Sequence, residues 1–193
     1  MSERDQPEGP RPPAESAAAA PAPTVFYRRS RFATRLPVDR LYTPAHYWLV
    51  EEEPGIWRVG LTGFATRMLG DLVEYGFSVK PGAAIVVGQT IGWLEGFKAV
   101  ADLFSVARGE FLGANEALAG DITLVESEPY KRGWLYRVRG EPADPRLDVQ
   151  GYVELLDTTI DAMLRDRHKG GGSEGGGDSE GDDGDGGDGR GDA

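Results

Sequence analysis

Between residues 46 and 138 the apolar positions come in short runs cut by glycine and proline, the pattern of strands joined by turns. His46 to Glu52, with Tyr47, Trp48, Leu49 and Val50, predicts a strand. Pro54-Gly55 predicts a turn, and Ile56 to Leu61 a second strand that alternates and closes a hairpin. Thr62 stands where a helix N-cap belongs, ahead of Phe64, Ala65, Met68 and Leu69, with Gly70 at the expected stop. Further strands are expected at Leu72 to Phe77, Ala84 to Val87, Ile91 to Glu95, Ala99 to Phe104 and Trp134 to Val138. Turns are expected at Lys80-Pro81-Gly82, Gly88-Gln89 and Ala107 to Glu110, and a loop or helical turn at Gly113 to Leu118. From Asp148 the period lengthens to that of a helix. Val149, Val153, Leu156, Ile160, Met163 and Leu164 fall on one stripe, Asp148 can cap it, and Arg165, Arg167, His168 and Lys169 suit its C-terminal end. Many short strands with one short and one terminal helix give a mainly β fold, a small sandwich or flattened barrel. Trp48, Trp57, Phe64, Trp93, Phe104, Phe111 and Trp134 are its expected core aromatics, and Gly60, Gly70, Gly109 and Gly133 its permissive turn positions.

Composition divides the chain into three. Residues 1–24, rich in Pro, Ala and charge, read as a disordered leader, and residues 169–193, nearly all Gly, Asp, Ser and Glu, as an acidic tail. One domain is expected between them, over 25–168. The net charge of -11 is concentrated at the ends: Lys169 and Arg190 face eight carboxylates in the tail, and Arg4 and Arg11 face four in the leader, which leaves the middle at -3. Such a domain offers no phosphate-neutralising surface, so nucleic acid is not an expected partner. No apolar run is long enough to span a bilayer and the Ala-rich leader is broken by prolines, so a soluble cytoplasmic protein is expected. Within the tail, Arg190-Gly191-Asp192 matches an adhesion tripeptide that arises easily by chance, and Asp182 to Asp188 lacks the closing glutamate of a calcium loop.

The chemistry available to the side chains is narrow. Cysteine is absent and only His46 and His168 represent histidine, which removes thiolate catalysis and multi-His metal sites. No nucleophile–base set or phosphate-binding glycine loop is present, so an enzyme is not expected. The informative stretch is Leu94-Glu95-Gly96-Phe97-Lys98-Ala99-Val100-Ala101-Asp102. It sets one lysine at a turn between two strands, flanked by the carboxylates Glu95 and Asp102. On composition alone, an exposed lysine in a turn is ordinarily a solubilising residue.

This stretch resembles the lipoylation hairpin of glycine cleavage H proteins, E-S-V-K-A-V-S-D. Glu95, Lys98, Ala99, Val100 and Asp102 match it, whereas Gly96, Phe97 and Ala101 depart. Other blocks agree in order. Tyr42 to Trp48 resembles Y-T-x-x-H-x-W, Val59 to Ala65 resembles V-G-I-T-x-F-A, and Leu69 to Val73 matches L-G-D-I-V. Gly109 with Asn115 to Leu118, and Glu128-Pro129-Tyr130 with Gly133-Trp134-Leu135, continue the series.

The resemblance implies a lipoyl-domain (biotinyl/lipoyl-like) fold and a monomeric carrier with lipoate amide-linked to Lys98. It also implies four partners: glycine decarboxylase, a tetrahydrofolate-dependent aminomethyltransferase, dihydrolipoyl dehydrogenase and a lipoylating enzyme. Glu95 and Asp102 are then recognition residues for the lipoylating enzyme, or simply a solvated turn. His46 would either serve near a docked amine or be structural, and Asn115 would hold a turn. Biotin fits less well, because a biotinyl lysine normally lies between two methionines and Phe97 and Ala99 flank this one. An H-like carrier of another pathway, such as sulfur oxidation, and an unmodified binding module remain as alternatives.

Overall fold

A computed structural model describes residues 22–170. The expected leader and tail, with the Arg190 tripeptide and the Asp182 to Asp188 cluster, fall almost wholly outside the described residues. The elements run β1 (Thr24–Arg29), β2 (Phe32–Pro37), β3 (Leu41–Tyr42), β4 (Tyr47–Glu53), β5 (Ile56–Leu61), α1 (Gly63–Leu69), β6 (Leu72–Phe77), β7 (Ala84–Ile85), β8 (Thr90–Gly96), β9 (Val100–Phe104), β10 (Ala107–Ala114), α2 (Leu124–Ser127), β11 (Tyr136–Pro142) and α3 (Val149–Gly170). A 3-10 turn, Glu116–Ala119, precedes α2.

All strand pairs are antiparallel. One sheet has the order β3-β4-β5-β11-β10-β7 and a second the order β6-β8-β9, while β1 and β2 form a separate hairpin. The result is the mainly β sandwich the pattern predicts, with a short helix after the β4–β5 hairpin and a helix at the end. The sheets do not close into a barrel.

The uninterrupted apolar run in β4 has a structural reason: both faces of this strand are covered. Tyr47 and Leu49 point into the core between the two sheets, with Leu94, Leu103, Phe111, Tyr136 and Val138. Trp48, on the opposite face, packs in a second core with Phe64, Tyr152, Leu156 and Ile160. Its ring lies flat over Gly60, the cross-strand partner, where a Cβ would stand 2.5 Å from the indole. Gly60 is therefore required by a packed ring and not by a turn.

Helix α3 supplies the lid of this second core. Asp148 Oδ1 accepts a hydrogen bond from the Gly151 amide at 2.8 Å, as an N-cap should. Leu156 and Ile160 are buried as the stripe predicts, but Met163 is 36% exposed. The largest buried residue of the helix is Tyr152, stacked on Tyr42 with centroids 4.6 Å apart.

Several expectations are corrected. Ala107 to Glu110 is not a turn but the start of β10. Gly109 sits directly opposite Gly140, and a Cβ on it would lie 2.0 Å from the Arg139 carbonyl oxygen, so glycine serves close strand approach here. The strand expected at Ala84 to Val87 stops at Ile85, leaving Val86 and Val87 exposed. The last strand begins at Tyr136 and not at Trp134, and Phe104 is 41% exposed and not core. Gly133 packs against the Leu124 carbonyl, another close approach. The β1–β2 hairpin carries no glycine or proline signal, because Ser30 takes the positive φ of its turn.

Candidate functional site

Lys98 occupies the tip of the β8–β9 hairpin. Leu94 pairs with Ala101 and Glu95 with Val100, and the Gly96 amide donates to the Ala99 carbonyl at 2.9 Å to close the turn. The tip is tied down. Helix α1 leaves carbonyls without helical partners at its C-terminus, and the hairpin supplies a donor to one of them, Lys98 N–H to the Leu69 carbonyl at 3.2 Å, while Phe97 N–H donates to the Asp71 carbonyl just beyond the helix at 2.9 Å. Gly96 fits against the same turn, where a Cβ would lie 2.5 Å from the Leu69 oxygen.

Gly70 ends α1 at φ 77°, in the left-handed region, and a Cβ there would lie 2.9 Å from Lys98 Cγ. The lysine stem thus lies across Gly70. The side chain is exposed, and no carboxylate forms an ion pair with it among the described residues. This is a fixed backbone with an accessible amine.

Glu95 and Asp102 lie on one face of the three-stranded sheet. The face follows from register, since Glu95 sits between Glu74 and Val100 while Asp102 pairs with Trp93. The opposite face carries buried Leu94 and Leu103. The structure therefore brings three carboxylates to the outer surface beside the hairpin tip, together with Val100 and the 80% exposed Phe97. None of them pairs with Lys98.

Two clefts flank the lysine. One, of about 500 Å³, is floored by Phe32, Phe64, Ile160 and Leu164 and edged by Arg29, Arg31, Arg67 and Arg167. The other, of about 490 Å³, is lined by Thr34, Thr66, Gly70, Asp71, Glu126 and Pro129. Glu126 accepts the Leu72 amide at 2.5 Å, which fastens α2 beneath the turn that holds Lys98.

His46 lines neither cleft. It has φ 62°, its Nδ1 lies 3.0 Å from the Tyr152 hydroxyl, and its ring packs 4.6 Å from Phe64. Burial lowers its pKa. Tyr152 also reaches Thr62 Oγ1 at 2.7 Å, so the histidine belongs to a network joining α3 to the N-cap of α1. Tyr130 supports the same end, accepting the Gly63 amide at 3.1 Å, and burial pushes its phenol up to about 12. Asn115 holds a turn as expected. Its Oδ1 accepts from the Ala117 amide, and its Nδ2 donates to the carbonyls of Arg132 and Trp134 at 2.7 and 2.8 Å.

Sequence reading found the lysine but not its support. The carbonyls of Leu69 and Asp71 and the arginine edge give no local signal. Their one trace is the Leu69-Gly70-Asp71 block, whose role appears only when the hairpin docks on it.

The sequence profile of the glycine cleavage H-protein family matches residues 40–157, more than half of the chain. The chain belongs to the glycine cleavage H-protein family. The glycine cleavage system H protein of Thermobifida fusca is 38% identical over 124 residues, covering 63% of this chain and 96% of its own. That of Streptomyces coelicolor is 41% identical over 112 residues, covering 56% and 87%. The crystal structure of a glycine cleavage system H protein from Mycobacterium marinum superposes with a TM-score of 0.57 at 31% identity, over 65% of this chain and 99% of that one. Family membership gives the domain its role as a carrier subunit of the glycine cleavage system, and not one of its catalysts.

Proposed function

We propose that Lys98 is the lipoyl attachment site through which this chain carries the aminomethyl group between components of the glycine cleavage system. The observation that supports this reading is the pinned hairpin tip. Two backbone hydrogen bonds, to Leu69 at the end of α1 and to Asp71 just beyond it, fix the position of Lys98, while its amine stays open to a modifying enzyme.

The residues present fit the group. The Lys98 amine is exposed, joins no ion pair with any described residue, and can be acylated by the lipoyl carboxyl without disturbing a buried partner. Acylation removes its positive charge and leaves the backbone bonds intact. Once attached, lipoate supplies a redox-active sulfur pair to a chain that has no cysteine.

The chain's own contribution is presentation. Gly96 and Gly70 let the tip sit close against α1, so the attachment point does not wander. The outer face with Glu95, Asp102, Phe97 and Val100 offers carboxylates and apolar surface to the lipoylating enzyme, in which Glu95 and Asp102 are the recognition residues. Glycine decarboxylase, the aminomethyltransferase and dihydrolipoyl dehydrogenase are then visited in turn by one tethered group, at an effective concentration that free diffusion does not reach. We place this work in the cytoplasm, with the chain as a monomer. No helix among the described residues is long and apolar enough to cross a membrane.

Intact mass of the chain purified from its own cells, with peptide mapping across residues 91–108, tests the assignment. A lipoyl increment on Lys98, absent in Lys98→Arg, is the expected result. An unmodified Lys98 in cells whose other lipoyl proteins are loaded would refute it and favour a binding module. Glycine-dependent reduction of NAD in a mixture with the other components should follow the modified fraction.

A further inference from the structure

The cleft edged by arginines is built mostly from parts that lie outside the family match. The family profile covers 40–157, so the β1–β2 hairpin precedes it and the last turns of α3 follow it. Residues 29–32 of the hairpin and the α3 face with Ile160, Met163 and Arg167 wall this cleft, against α1 and Lys98. The added wall is fixed in place. Tyr27 donates to Asp157 at 2.9 Å, Arg29 donates to Asp157 at 2.8 Å and to Asp161 at 2.6 Å, and the Phe32 ring meets Phe64 edge-on at 5.4 Å. The cleft is thus preformed, and an occupant spends little on ordering it.

Its chemistry has two parts. Phe32, Phe64 and Ile160 make an apolar floor, and Met68 and Met163 stand exposed beside it, where an unbranched thioether adapts to what it meets. Around the floor, Arg31, Arg67 and Arg167 are exposed and form no ion pair with any described residue, and no described carboxylate lines the cleft. Like charges gathered without counter-charges repel one another, and carboxylates brought among them relieve that repulsion. The occupant that answers both parts is an apolar side chain framed by carboxylates. A protein is favoured over a polyanion by charge and by setting. The chain carries a net charge of -11, which repels nucleic acid at long range. The cleft opens beside Lys98 in a carrier subunit, whose work is done against other proteins.

We propose that this cleft is a docking site for a partner protein that inserts an apolar side chain framed by carboxylates, which pair with Arg31, Arg67 and Arg167. The β1–β2 hairpin thereby selects which proteins approach Lys98 from the α3 side, separately from the carboxylate-bearing face with Glu95 and Asp102. Rising ionic strength weakens the contact. The inference rests on the cleft alone and holds whether or not Lys98 is modified.

The probe is a short blocked peptide, D-E-F-L-E-D, titrated into the isotope-labelled full chain at low salt and again at about 0.5 M salt. The expected result is saturable shifts of amides at 30–32, 64–68 and 160–167, with affinity reduced severalfold at high salt. Arg31→Ser/Arg67→Ser/Arg167→Ser should weaken binding roughly tenfold, since three exposed pairs go together. Ser30→Asp removes no contact, sits at a positive φ that aspartate tolerates, and places a carboxylate among the arginines, so it should weaken binding as well. The control peptides N-Q-F-L-Q-N and D-E-S-S-E-D, each lacking one half of the chemistry, should both bind severalfold more weakly. Absence of saturable shifts at those amides, or equal binding by either variant or either control peptide, would overturn the proposal. So would shifts at the same amides that grow with protein concentration alone, which would assign the cleft to a second copy. Tighter binding of a short single-stranded oligonucleotide than of the acidic peptide would overturn it too, in favour of nucleic acid.

Discussion

Replacing Gly96 with alanine tests whether the lysine tip is held by its contact with α1. The new Cβ would lie 2.5 Å from the Leu69 oxygen and 3.1 Å from the Leu69 carbon. An unstrained carbon–oxygen contact needs about 3.3 Å, so the hairpin must lift by roughly 0.8 Å. The obstructing atom is backbone, and it accepts the Lys98 amide, so no side-chain rotation relieves the clash. A lift of that size stretches the Lys98–Leu69 bond from 3.2 Å and the Phe97–Asp71 bond from 2.9 Å beyond useful range. Two backbone hydrogen bonds at about 1 kcal/mol each, with some residual strain, give a loss of about 2–3 kcal/mol. In a domain of this size that lowers Tm by roughly 4–10 °C. Urea titration should show an earlier midpoint with unchanged slope. Hydrogen exchange should accelerate sharply at the Phe97 and Lys98 amides relative to Leu94 and Leu103 of the same hairpin. The lipoylation rate of Lys98 should fall with it, since the lysine is no longer presented at a fixed point. A stability change under about 0.5 kcal/mol with unaltered exchange at Phe97 and Lys98 would refute the reasoning.

Asn115→Ala should cost about 2–4 kcal/mol in urea titration, because the buried side chain makes three hydrogen bonds, accepting from the Ala117 amide and donating to the carbonyls of Arg132 and Trp134, at about 1 kcal/mol each. Phe97→Ala should change stability by no more than about 0.5 kcal/mol, given an 80% exposed ring, so any effect on lipoylation reports recognition; a large loss of stability would show the ring is packed. Burial holds His46 neutral, with its pKa below the ordinary 6.5. The unfolded chain therefore takes up that proton first as pH falls, and the contribution is whole above about pH 6.5 and lost below it, down through the folded pKa. Asn tolerates the positive φ at this position. His46→Asn should thus be the less stable protein at pH 7.5, and the gap should narrow as the pH is lowered past 6.5; a gap that is constant with pH would show that His46 does not titrate between the two states.

Much of the fold was legible along the chain. Gly55 at φ 73° turns the β4–β5 hairpin, Thr62 caps α1 by accepting the Ala65 amide, and Gly70 stops it, all from chemistry confined to a few neighbouring residues. The helical stripe after Asp148 and the turn built on Asn115 were readable for the same reason. The β1–β2 hairpin was not, because Ser30 in its turn lacks the glycine signal. Gly109 was misread because a glycine needed for close strand pairing looks, in one dimension, like a glycine needed for a turn.

The candidate site divides along the same line. Residue type and local spacing determined that Lys98 would sit at a hairpin tip between Glu95 and Asp102, since turns and strands are short-range features. Only the tertiary structure decided what that tip rests on. The Leu69 and Asp71 carbonyls, the left-handed Gly70 beneath the lysine stem, and the arginines of β2's leading turn, α1 and α3 are far apart in sequence. They come together because burial of two hydrophobic cores, and not any local preference, sets where those elements dock.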